Sequence, residues 1–97
     1  MEIALQVESK NYQRLRDIIL RDENISRASI VFKEAKQYGG KDGYYCYISG
    51  TDQQCKKAIE LSKELAKELD AKKRKEFISK IKEEENKATQ AFGDIFG

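Results

Sequence analysis

Three stretches of this chain alternate apolar and polar residues with the two-residue period of a β-strand, and runs with helical spacing separate and follow them. That interleaving calls for strands and helices around one core, which excludes both an all-helical bundle and an all-β sandwich. From Glu2 to Glu8, Ile3, Leu5 and Val7 fall on one side and Glu2, Ala4, Gln6 and Glu8 on the other. Ser9 is placed to cap a helix over residues 10–22, in which Tyr12, Leu15, Ile18 and Ile19 recur at spacings of three and four. Asp22-Glu23-Asn24 breaks it. A second alternating run starts near Ile25, with Ala28, Ile30 and Phe32 opposite Arg27, Ser29, Val31 and Lys33, and ends between Lys33 and Lys36.

The stretch from Gln37 to Gly43 holds Gly39, Gly40 and Gly43 and predicts a hairpin turn, because glycine supplies the positive φ such turns need. Its second arm is Tyr44 to Ser49, with Tyr44, Cys46 and Ile48 on one face and Tyr45, Tyr47 and Ser49 on the other. After Gly50, Thr51-Asp52-Gln53-Gln54 has the form of a capping box. Cys55, Ala58, Ile59, Ser62, Leu65, Ala66 and Leu69 then form one helical stripe that carries the predicted helix to about residue 70. Beyond Asp70 the chain becomes strongly charged, and a weaker stripe of Phe77, Ile78, Ile81, Ala88, Ala91 and Phe92 is interrupted at Glu84 and Glu85. No Pro or Gly lies between Thr51 and Phe92, so one long helix and two helices with a break near Asp70 are both open; the composition shift favours the break. The expected fold is an α+β two-layer sandwich in the order β-α-β-β-α with an additional C-terminal helix. It has a three-stranded mixed sheet covered on one face by helices. Residues 1–70 form the core domain, and residues 71–97 are a helical extension packed on that core or on a partner.

Ninety-seven residues leave room for one core. No apolar run approaches the roughly 20 residues of a membrane span, and Met1-Glu2-Ile3 is unlike a secretory signal, so a cytoplasmic protein with no membrane partner is expected. A net charge of +2 is too balanced for a strong overall field, so any nucleic-acid contact must come from local segregation of charge. His is absent, which removes the commonest general base and transition-metal ligand, and two cysteines cannot make a four-ligand zinc site. No catalytic residue, metal site or cofactor pattern is identified. Cys46 and Cys55 read as buried thiols filling small gaps in the core rather than as a disulfide.

Two surfaces emerge as candidates. If one sheet face meets the helices, the other presents Arg27, Lys33, Tyr45 and Tyr47, a mixture of aromatic planes and cations of the kind that binds single-stranded nucleic acid. The competing reading is that tyrosine simply packs well on strands. The second surface is the apolar set Phe77, Ile78, Ile81, Phe92, Ile95 and Phe96, which is core if the last helix folds back and a partner surface if it projects. Lys72-Lys73-Arg74-Lys75 spreads around a helix and reads as a solvated, salt-bridged segment, the Gly39–Gly43 stretch as a turn rather than a phosphate loop, and Glu83-Glu84-Glu85 as a solvated helix face.

The sequence Tyr45-Cys46-Tyr47-Ile48-Ser49-Gly50-Thr51, followed by Ala58-Ile59, resembles the last strand and helix of a KH-type RNA-binding domain over residues 44–69. The GxxG loop of that family is missing, so no contact residue carries over. The whole chain resembles the small conserved proteins of unknown function common in archaea, a similarity that implies no activity. The expected function is a non-enzymatic interaction module that binds protein or forms a homodimer through its C-terminal helix. The alternative is RNA or single-stranded nucleic-acid binding on the sheet.

Overall fold

The computed structural model describes the backbone of residues 1–96 and the side chains of residues 1–85. Its elements are β1 (Glu2–Val7), α1 (Ser9–Arg21), β2 (Ser29–Glu34), β3 (Tyr44–Ser49), α2 (Asp52–Ser62), β4 (Ala66–Glu68) and α3 (Ala71–Phe96). The strands form one four-stranded sheet in the order β2-β3-β1-β4, and every neighbouring pair is antiparallel. With the order β-α-β-β-α-β, this is the split β-α-β connectivity called ferredoxin-like, followed by one further helix.

The sheet therefore departs from the expected three-stranded mixed arrangement. β3 lies between β1 and β2 and pairs with both, so the first two strands never meet as parallel neighbours. The expected helix to residue 70 ends instead at Ser62, whose hydroxyl turns back onto the Ala58 carbonyl at 2.6 Å. After a turn, Ala66, Lys67 and Glu68 pair with Val7, Gln6 and Leu5 and become β4. The break near Asp70 is present: its side-chain oxygen accepts the Lys73 amide at 2.8 Å and opens α3.

Local chemistry explains the other boundaries. Thr51 and Gln54 form the capping box, with the Gln54 amide donating to the Thr51 hydroxyl at 3.1 Å and the Thr51 amide to the Gln54 side chain at 2.9 Å. Ser9 is the first residue of α1 rather than its cap, since Glu8 holds the cap position without a side-chain bond. Residues Ile25–Arg27 form a turn of 3-10 helix, not the start of a strand. The Asp22 carboxylate accepts the amides of Asn24 and Ile25, both at 3.0 Å, and so fixes that turn with Ile25 buried. Gly43 brings the hairpin in against the Val7 carbonyl with a φ of 114°, where a side chain would collide.

Both faces of the sheet are covered. On one, Ile3, Leu5, Val7, Cys46 and Ile48 pack with Leu15 and Ile19 of α1 and Cys55 and Ala58 of α2. On the other, Ala4, Tyr45, Tyr47 and Leu69 pack with Phe77 and Ile81 of α3. The helices thus form layers on both sides of the sheet, and the open sheet face expected from the sequence is closed by α3. Cys46 and Cys55 are buried free thiols, as expected.

Candidate functional site

Antiparallel register places Lys33, Tyr45, Gln6 and Lys67 in one row across β2, β3, β1 and β4, and Val31, Tyr47 and Ala4 in the next. Side chains alternate along each strand, so both rows face α3. Phe77 closes over the first row, its ring 5.2 Å from Tyr45 and 5.0 Å from Tyr38, both edge-on. Tyr45 is left 4% exposed, Tyr47 5% and Phe77 1%.

Polar bonds clamp the same helix. The Tyr47 hydroxyl donates to Glu2 at 2.6 Å, and Lys82 of α3 donates to the other oxygen of that carboxylate at 3.0 Å. These hydrogen bonds, the one from Tyr47 foremost, hold the Glu2 carboxyl below its ordinary range. The Tyr38 hydroxyl donates to Glu84 at 2.9 Å, and Lys33 lies 3.5 Å from the second Glu84 oxygen. Burial, helped by Glu84, pushes the Tyr38 phenol up to about 12, and burial with the Glu2 bond raises Tyr47 as well. Glu84, which interrupts the apolar stripe in the sequence, is therefore an anchor and not a gap in a buried face.

The structure separates the residues grouped as a nucleic-acid surface. Tyr45 and Tyr47 lie beneath α3 and present no ring face to solvent. Lys33 is beside Tyr45 but paired with Glu84, and Arg27 is exposed on the 3-10 turn before β2, off the tyrosine rows. Of the second group, Phe77 and Ile81 are buried on the chain's own sheet with Ile78 partly buried beside them, so these three are core. Phe92, Ile95 and Phe96 lie outside the residues whose side chains are described.

A cleft that sequence reading missed opens at the end of the sheet where β1 stops and β3 begins, with a volume of about 530 Å³. Gln6 and Tyr45 line it from the sheet, the Gly39–Asp42 loop from one side, Glu64–Lys67 from another, and Lys73 from the first turn of α3. A side chain at position 40 would strike the Tyr45 hydroxyl, so only glycine lets the loop close on that ring. Lys67 reaches this site because β4 is a strand, and Lys73 because Asp70 opens α3 at Ala71; the cationic run Lys72-Lys73-Arg74-Lys75 was the visible signal for Lys73, and Lys67 had none.

Thiol chemistry has little support. Burial pushes Cys46 up to about 12 and raises Cys55 too, so neither offers a thiolate near neutral pH. Among the described residues, no group of three or more His, Cys, Asp or Glu is placed to hold a metal ion, and no helix is long and apolar enough to cross a membrane. No known protein family, curated protein or solved structure matches this chain.

Proposed function

We propose that this protein is a non-enzymatic interaction module that associates through its C-terminal helix, with a second copy of the chain as the foremost partner and another protein as the next. The observation that carries this reading is how α3 is used. Its sheet contacts begin at Phe77, and by Glu84 the helix has reached β2, the outermost strand on that side. The helix spans to Phe96, about 18 Å further at about 1.5 Å per residue. The sequence there continues the series Ala88, Ala91, Phe92, Ile95 and Phe96 at helical spacing. Such a stripe is the kind by which amphipathic helices pair. Light scattering across a concentration series tests it. The expected mass is above the 11.2 kDa of one chain and returns to that value when Phe92, Ile95 and Phe96 are all changed to Ser. A wild-type monomer at every concentration contradicts self-association.

The second reading is RNA or single-stranded nucleic-acid binding on the sheet. In its favour, Tyr45 and Tyr47 lie on a central strand of a four-stranded sheet, the kind of platform on which unpaired bases stack. It requires α3 to leave that face. Anisotropy of short labelled RNA that rises on adding protein, weakens with salt and strengthens in Phe77→Ala would support it, while a flat response at low salt would retire it.

A further inference from the structure

The cleft at the end of the sheet has unusual electrostatics. Its volume of about 530 Å³ lies within the roughly 300–1,000 Å³ of small-molecule sites. Of the carboxylates that line it, Glu8 pairs with Lys10 at 3.3 Å and Asp42 with Lys36 at 2.9 Å. Lys41, Lys67 and Lys73 line it as well, and their ammonium groups make no ion pair or hydrogen bond among the described residues. Glu64 is the one lining carboxylate left without such a partner, so the cleft holds a surplus of two positive charges.

The Tyr45 hydroxyl is the second observation. Three phenols lie on or beside the α3 face of the sheet; those of Tyr38 and Tyr47 each donate to a carboxylate. The Tyr45 ring is buried, and its hydroxyl has no hydrogen-bond partner among the described residues. It lies against Gly40, and both residues line the cleft. No buried polar side-chain atom among the described residues lacks a partner, so this hydroxyl is open to the cleft, and a donor free at a cationic cleft is placed to meet the acceptor oxygens of an anionic ligand.

We propose that this cleft binds a small phosphomonoester of up to mononucleotide size. Its phosphate is held by the ammonium groups of Lys41, Lys67 and Lys73, and one acceptor oxygen takes the Tyr45 O–H. A phosphomonoester carries about −1.5 to −2 charges at neutral pH, which matches the surplus, and lysine meets phosphate as a compact point charge. The side chains of Gln6 and Asn11 supply amide groups for the part of the ligand beyond the phosphate. This site is separate from the distal part of α3 and does not depend on association there.

The test is an NMR titration of the full ¹⁵N-labelled chain with AMP, with inorganic phosphate, and with adenosine as the uncharged control. AMP is expected to shift the amides of Gln6, Lys41, Tyr45 and Lys67 saturably and to bind at least tenfold more tightly than adenosine. Inorganic phosphate moving the same amides would support the phosphate head as the anchor. The double variant Lys67→Gln, Lys73→Gln is expected to weaken AMP at least tenfold. Tyr45→Phe, which keeps the ring against Phe77, is expected to weaken it at least threefold. The proposal is overturned if sodium chloride at matched ionic strength reproduces the shifts, if adenosine binds as well as AMP, or if folded lysine variants bind unchanged. Binding by an RNA oligomer with none by AMP or phosphate would overturn it in favour of the sheet reading.

Discussion

The two faces of this sheet are buried by different chemistry. Toward α1 and α2, aliphatic residues and a thiol from β1 and β3 meet Leu15, Ile19 and Ala58, and the face is held by apolar area removed from water. Toward α3, tyrosine rings meet Phe77 and Ile81, and the phenols and flanking lysines reach the carboxylates Glu2 and Glu84. A strand that alternates aliphatic with tyrosine is therefore not half-exposed when the covering helix supplies both a ring and acceptors for the hydroxyls. The first face needs only hydrophobicity; the second needs partners at defined positions, so substitutions there should be more local and more sensitive to pH.

The largest expected effect is at Phe77. Phe77→Ala removes the ring that two tyrosines contact and should lower stability by about 3–5 kcal/mol, as truncations of buried phenylalanine do. If α3 is the weaker of the two covers, tyrosine fluorescence should change earlier in a urea titration than far-ultraviolet dichroism. A loss below about 1 kcal/mol would mean that α3 does not cover the sheet. Next, Leu15→Ala on the opposite face should cost about 2–4 kcal/mol, with both probes changing together because that layer joins α1 to the sheet.

The smallest effect concerns the polar clamp. Tyr47→Phe deletes the 2.6 Å bond to Glu2 and should cost about 1.5 kcal/mol, the lower end for a bond to a charged acceptor because that carboxylate is partly exposed. Because the Glu2 carboxyl is held below 4.5 in the folded state, its contribution is fully present above that value and is lost as the pH falls through the folded value. Tyr47→Phe removes the leading cause, so the Glu2 titration followed by NMR should move up toward 4.5. The phenols act at the other end of the scale. Their folded values are raised from about 10, that of Tyr38 to about 12, so their contribution is present below 10 and lost as the pH rises through the folded values.

Much of the fold was legible because local signals agreed with the tertiary arrangement. The alternation of Ile3, Leu5 and Val7, the glycine turn before Tyr44, and the Thr51–Gln54 box each specify an element without outside help. β4 was hidden because Leu65, Ala66 and Leu69 fit the helical stripe of α2 and three residues are too few to show alternation. What makes it a strand is the free edge of β1, a pairing of Val7 with Ala66 that no local pattern announces. The site was less legible for the same reason. Tyr45 and Tyr47 were rightly placed on one face, yet what covers them depends on where α3 docks, and Glu84 looked like a solvated charge until Tyr38 and Lys33 stood beside it.

The central claim is that α3 closes the tyrosine face of the sheet. A two-dimensional nuclear Overhauser spectrum of the full chain tests it most directly. The structure predicts cross-peaks from the Phe77 ring protons to the ring protons of both Tyr38 and Tyr45, whose ring centres lie 5.0 and 5.2 Å away. Phe77 without either contact, in a protein whose β1 and β3 amides remain protected, would show that the sheet folds with that face open and would contradict the account.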